Sequence, residues 1–430
     1  MDEIWRPITT QETKVKNIYN QKDDESFKPK MPENLVFAGG GIKGLAHLGV
    51  LKYLVEGGYD EAERDKRRGM KLSELGIKGA AGTSAGSLIS LIVAMDLTYA
   101  QIEKLLKSEK LKWSEIFKKY DLIQKLWKKI KKTYGFAVFS LVDLAKNVIE
   151  WIIQKYGADG VNLQKFVDTV ISECRKYHGI EEKDFTFEKL YAKTGIELTV
   201  VITELETGQA RYLNHINTPK FNVALAVRTS MNIPIAFQPV KLDLFFDKDG
   251  HKQIDTDPEY KKRQDKRKEI RKRKGKKEED LKPTEKLTYV DGGLVDNFPI
   301  DYFDQKDIEG HKRNRKTLGS FLYQYDAPIE TLPTEKLNRL QVGNDFTELR
   351  IDKQVKALFG VTFEASSSVC MHKEIKDQRA DNFYRVVRVC TENISTFELA
   401  KGDDPEVRER LIGMGFKGAK QLLEERIYQR

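Results

Sequence analysis

Three short stretches of the chain carry residues able to do chemistry. The first is Gly82-Thr83-Ser84-Ala85-Gly86. A serine hydroxyl becomes a nucleophile when the backbone projects it and a base stands within reach. The small neighbours Gly82, Ala85 and Gly86 permit a tight turn. The apolar residues on either side predict a strand before it and a helix after it, which is the setting of a nucleophile elbow. The helix N-terminus behind such a serine favours developing negative charge. Alone, the five residues also describe an ordinary small-residue turn.

The second stretch is Gly39-Gly40-Gly41-Ile42-Lys43-Gly44. Glycines let several backbone N–H groups converge on one anion. Two anions fit: a cofactor phosphate, or the oxyanion of an acyl-transfer intermediate. The spacing satisfies GxGxxG. The charged residues 58–68, however, lack the second strand and closing acidic residue of a dinucleotide site. No Gly-Lys-Ser/Thr follows, so the stretch is not a P-loop. Beside a serine elbow, the oxyanion role is preferred. Lys43 fits either a charge near a substrate phosphate or a solvated lysine at a helix start.

The third stretch is Asp291-Gly292-Gly293, which closes the apolar run 287–290. A carboxylate at the C-terminal edge of a strand stands where open α/β sheets put their sites. There it could take the proton of Ser84 as a general base. Taken alone, the Gly-Gly step is a turn.

The surrounding pattern predicts the elements that hold these residues. Apolar runs at 34–38, 77–81, 197–203, 287–290, 317–325 and 383–390 read as strands. Helical spacing follows at 45–54, 88–95, 222–231 and 411–427. Two strand–turn–helix units in succession argue for a mostly parallel sheet. Residues 58–74 read as a charged loop, and residues 99–178 as mostly helical. Residues 243–286 are charged and nearly free of large aliphatics, so they read as a surface insertion. There is no internal repeat.

GGGIKG, GTSAG and DGG in this order resemble the patatin-like phospholipase family. The likeness extends to Arg228-Thr229-Ser230-Met231-Asn232-Ile233-Pro234 and to the residues running from Asp291 through Asn297 to Pro299. The resemblance implies a three-layer α/β/α sandwich with a mostly parallel central sheet, carrying helical and charged insertions. It implies a lipid acyl hydrolase of phospholipase A type, active in lipid catabolism, with Ser84 as nucleophile and Asp291 as base. Gly40, Gly41 and the Ala85 amide become the oxyanion donors. The expected division is an N-terminal arm (1–31), a catalytic domain (32–325) interrupted at 243–286, and a C-terminal extension (326–430) that completes or packs on the core. No metal or organic cofactor is implied.

Two rivals remain open. One is a Ser-Asp-His triad, with His311 or His372 following Asp291 in chain order; His47 reads as a packed helix residue. The other is a membrane-binding scaffold with little turnover.

Composition narrows the partners. The chain has 430 residues, 40% of them hydrophobic and 33% charged, enough apolar content for a core. Its net charge of +9 is local: between Lys261 and Lys277 the net is +10, which leaves the remainder near neutral. A uniformly basic nucleic-acid binder is thereby excluded, and no stacking aromatics interleave the basic run. That run suits a solvated insertion or a patch drawn to anionic lipid. Residues 120–134 (YDLIQKLWKKIKKTY) form a basic amphipathic stretch able to lie on lipid or pack on the core. Cys174, Cys370 and Cys390 are too few and too dispersed for a disulfide framework or a paired-cysteine metal site. With no Sec signal and no apolar run of membrane-spanning length, the expectation is a cytoplasmic protein that associates with membranes peripherally.

Overall fold

A computed structural model describes residues 31–116, 160–178, 185–205, 208–234, 237–242, 287–307, 310–323, 385–392 and 399–425. It also describes Glu269, Ile394 and the paired residues 20–21 and 28–29. Eight strands form one mixed sheet: β1 (Asn34–Phe37), β2 (Gly79–Thr83), β3 (Glu197–Glu204), β4 (Gln209–Leu213), β5 (Val240–Leu242), β6 (Leu287–Asp291), β7 (Thr317–Tyr323) and β8 (Val386–Cys390). The hydrogen-bonded path runs β8–β7–β1–β2–β3–β6–β5, and β4 also pairs with β3. The four pairings from β8 to β3 are parallel; those of β4, β6 and β5 are antiparallel. The α/β class with a mostly parallel central sheet is as the sequence implied.

The register on β3 decides where the site forms. Residues 197–201 pair with residues 79–83 of β2. Ile202, Thr203 and Glu204 pair with Asp291, Val290 and Tyr289 of β6. β4 pairs with residues 200–204 throughout. One edge of β3 therefore belongs to β4, and β2 and β6 share the other edge end to end. The two strand ends meet across consecutive residues, Thr83 opposite Val201 and Asp291 opposite Ile202.

Side chains alternate across the sheet as a period of two demands. Leu35, Phe37, Ala80, Leu318, Leu322, Val387 and Val389 join the larger core cluster. Val36, Ala38, Ala81, Phe321 and Val386 join a second cluster with Phe298 and Ile300. The second face is thus closed, among the described residues, by the segment just after Asp291.

The larger cluster draws in residues of α1 (Ala46–Glu56), α3 (Ala85–Ala94), α4 (Tyr99–Leu106), α5 (Trp113–Ile116), α6 (Val161–Arg175), α7 (Phe187–Thr194), α8 (Val223–Ser230) and α9 (Pro405–Lys420). Every residue of α3 is buried, which explains its unbroken apolar run. α8 starts where Asn222 accepts the Leu225 amide at 2.9 Å and stops short of Pro234.

Residues 58–74, read as a loop, contain a helix, α2 (Glu61–Gly69). It buries none of its own residues, so no apolar stripe announced it. Asp60 caps it through the Glu63 amide, and Arg67 reaches back to the carbonyls of Val55 and Leu54 at the end of α1. Arg68 pairs with Glu56 and Glu103. The C-terminal helix begins at Pro405, six residues before the apolar pattern does, because Asp404 caps it and proline suits a first turn.

Beyond residue 325, β8 extends the sheet on β7, and α9 crosses α1. The crossing is close: a Cβ on Gly415 would lie 1.7 Å from the Ala46 carbonyl, and one on Gly49 would lie 1.9 Å from the Ile412 carbonyl. Arg385, at the mouth of β8 and 1% exposed, forks onto Asp304 at 2.5 and 2.8 Å. The basic run from Lys261, the stretch 120–134 and most of the insertion 243–286 lie outside the described residues.

Candidate active site

β2 ends at Thr83, and Ser84 takes φ 53°, ψ −126° before α3 begins. A positive φ at a non-glycine residue is strained and persists only where the surroundings enforce it. The enforcement is visible at Gly82 and Gly86. A Cβ on Gly82 would stand 2.3 Å from the Gly86 carbonyl, and one on Gly86 would stand 2.3 Å from the Phe37 carbonyl and 2.7 Å from that of Ala38. The elbow is therefore pressed onto the end of β1. The Ser84 amide donates to Ser230 Oγ at 2.8 Å, and Ser87 Oγ donates to the Ser84 carbonyl at 2.6 Å.

β6 brings Asp291 to the same point. Ser84 Oγ donates to Asp291 Oδ2 at 2.7 Å, although the residues stand 207 positions apart. Asp291 Oδ1 accepts the Gly293 amide at 2.8 Å. Asp291 is fully buried and Ser84 is 5% exposed. Burial pushes the Asp291 carboxyl up from its ordinary 3.8 to about 7, against the opposing effect of the Gly293 amide and the Ser84 hydroxyl. A carboxyl that titrates near neutrality is matched to general-base work there.

The Gly-rich turn lies against the elbow. A Cβ on Gly39 would come within 3.1 Å of Ser84 Cβ, and one on Gly44 within 2.8 Å of Ala85 Cβ. The Gly39 amide is spent on the Asn297 carbonyl at 3.0 Å, and Lys43 N–H returns to Gly40. Gly41 is left-handed, with φ 56°. Among the described residues the amides of Gly40, Gly41 and Ala85 donate to no backbone carbonyl. Lys43 is buried, so the picture of a solvated lysine at a helix start is corrected.

His47 is fully buried, with Nε2 2.9 Å from the Ala38 carbonyl and Nδ1 2.7 Å from Ser320 Oγ. Nε2 must donate to the carbonyl, so Nδ1 accepts from the Ser320 hydroxyl. Burial holds the ring's pKa down to about 4. Both ring nitrogens are engaged away from Ser84, as expected of a packed helix residue. His178 contacts the Met95 carbonyl, and His215 stacks on Tyr191. His372 and the side chain of His311 lie outside the described residues. The described partners of Asp291 are Ser84, Gly293 and, through its amide, the Asn232 carbonyl; no histidine is among them.

Sequence reading passed over two contributors. Ser230 and Asn297 lie inside segments that carried the family likeness, yet nothing in local pattern says that one meets the Ser84 amide and the other ties down Gly39. Among the described residues no cluster of three His, Cys, Asp or Glu suits a metal, and no helix is long and apolar enough to cross a membrane.

Residues 35–304 match the Patatin-like phospholipase family. The chain belongs to that family. It is 27% identical over 275 residues to the uncharacterized protein YqhO of Bacillus subtilis (strain 168), a match covering 63% of this chain and 66% of that protein. Among solved structures, VipD from Legionella pneumophila superposes with a TM-score of 0.44 at 17% identity, over 97% of this chain and 72% of VipD. ExoU of Pseudomonas aeruginosa gives 0.30 at 14% identity, over 93% and 54%. The family assignment rests on the sequence match.

Proposed function

We propose that the chain is a serine-dependent lipid acyl hydrolase of phospholipase A type, with Ser84 and Asp291 as its catalytic dyad. The observation that carries this reading is the 2.7 Å hydrogen bond from Ser84 Oγ to Asp291 Oδ2 at a strained turn. Asp291 takes the hydroxyl proton as Ser84 attacks the ester carbonyl of a phospholipid. The tetrahedral oxyanion forms against the amides of Gly40, Gly41 and Ala85, which are donors of the kind such charge requires. Collapse expels the lysolipid alcohol, which receives the proton back from Asp291, and leaves an acyl-Ser84 ester. Water then loses a proton to Asp291 and attacks the ester; as the second tetrahedral intermediate collapses, Ser84 Oγ takes that proton back from Asp291 and the fatty acid leaves.

The glycines serve the geometry. Gly86 lets the elbow pack against β1 and Gly82 lets it close on α3, Gly39 and Gly44 let the oxyanion turn approach it, and Gly292 lets the aspartate's turn pack on β3. The enzyme meets its substrate as a cytoplasmic protein at a membrane surface, with the basic run from Lys261 to Lys277 engaging anionic lipid.

The test is labelling with a fluorophosphonate, followed by mass spectrometry of products from mixed phospholipids. Wild type is expected to label and to release fatty acid plus lysolipid, whereas Ser84→Ala and Asp291→Asn do neither. A folded wild type that neither labels nor releases fatty acid points to the scaffold reading instead.

A further inference from the structure

We infer that Ser230 is a positioning residue for the nucleophile: its hydroxyl holds the elbow by bridging the Ser84 amide to the Val201 carbonyl. The inference rests on the dyad reading above and deepens it. Ser230 closes α8 and is fully buried. Its Oγ accepts from the Ser84 N–H at 2.8 Å and donates to Val201 O at 2.6 Å. One hydroxyl therefore satisfies a donor at the end of β2 and an acceptor on β3, using its proton and one lone pair.

The location gives the bridge its meaning. Thr83 opposite Val201 is the last pair between β2 and β3, and the next residue of β2 is the nucleophile. A strand that leaves a sheet exposes its next amide, and buried amides need partners. Here the partner is a side chain from a third element, and the strand is free to turn sharply to φ 53°. Asp291 stands one residue further along the same edge. The Ser230 hydroxyl thus sits at the junction where both dyad strands end. It also occupies the Ser84 amide, which leaves oxyanion binding to the amides of Ala85 and the Gly-rich turn.

Removing the hydroxyl takes its side-chain partner from each of two buried backbone groups and frees the elbow to shift. A misplacement of about 1 Å is enough to slow a positioned reaction about 10²-fold. The experiment measures fluorophosphonate labelling of the full chain, separating the maximal rate of inactivation from the concentration giving half of it. Ser230→Ala is expected to lower the maximal rate about 10²-fold, with half-saturation within about twofold and the acid limb near pH 7 unmoved, since Asp291 keeps its surroundings. Ser230→Thr, which keeps a hydroxyl, is expected to regain most of the rate. Wild-type rates in a folded Ser230→Ala overturn the inference, as does a loss that Ser230→Thr shares in full while folded. If Ser230→Ala does not fold, Ser230→Cys decides: a depressed maximal rate with unchanged half-saturation supports the bridge, and a wild-type rate overturns it. Failure of wild type to label sinks the dyad reading itself, a separate outcome.

Discussion

The carbonyl of Val201 occupies the space where a side chain on Gly292 would begin: a Cβ there would stand 2.3 Å away, with Thr83 Cγ2 at 3.0 Å. The same carbonyl accepts the Ser230 hydroxyl. The aspartate's turn and the serine's elbow are thus packed on one backbone atom of β3. Gly292→Ala must push Asp291 away from Ser84 or distort β3. It is expected to lower stability by about 1–3 kcal/mol and to abolish fluorophosphonate labelling at temperatures where it stays folded. Retained labelling at wild-type rate means that the turn tolerates displacement.

Asp291 binds its proton more tightly in the folded chain, at about 7, than its ordinary 3.8. The stability this supplies is fully present below about pH 4 and is lost as pH rises through 7. Asp291→Asn is therefore expected to melt higher than wild type at pH 8.5, by an amount worth a few kcal/mol, and to lose that advantage towards pH 4. The wild-type rate should rise with pH through about 7. Equal melting of the two proteins at both pH values contradicts the burial argument.

His47 titrates in the opposite sense. With its folded value held to about 4 against an ordinary 6.5, its contribution is present above about 6.5 and fades as pH falls towards 4. The two slopes oppose each other in that window, so the readout is variant minus wild type. His47→Gln should flatten the acid-side loss in urea titrations and still label with fluorophosphonate. A folded His47→Gln that no longer labels would put the imidazole in the chemistry.

Arg385 and Asp304 form an ion pair with side chains 1% and 3% exposed. Breaking it leaves a buried guanidinium without its carboxylate. Asp304→Ala is expected to cost about 3–5 kcal/mol in urea unfolding, and Asp304→Leu combined with Arg385→Met to recover most of it. A single variant as stable as wild type shows that the charge finds another partner.

What sequence made legible was local. The apolar runs 34–38, 77–81 and 287–290 marked strands, and small residues marked the turns that follow. Strands β4 (QARYL) and β5 (VKL) escaped because each is short and broken by polar side chains. α2 escaped because a helix with no buried face has no apolar period. Lys43 misled because lysine type argues for solvent, and only packing buries it. The bridge through Ser230 and the tie through Asn297 join residues 146 and 258 positions from their partners. Distances of that order are set by strand register on β3, which no local pattern encodes.

The bare contact between Gly49 and α9 has a bearing on how the protein is made. The helix that follows the Gly-rich turn, and that carries His47, ends at Glu56. Its cover, at Ile412 and Gly415, leaves the ribosome some 350 residues later. Throughout that interval α1 lacks the backbone that packs on it at Gly49. The wall behind the Gly-rich turn is therefore completed only once residues 412–415 have been made, so chains truncated ahead of them lack it.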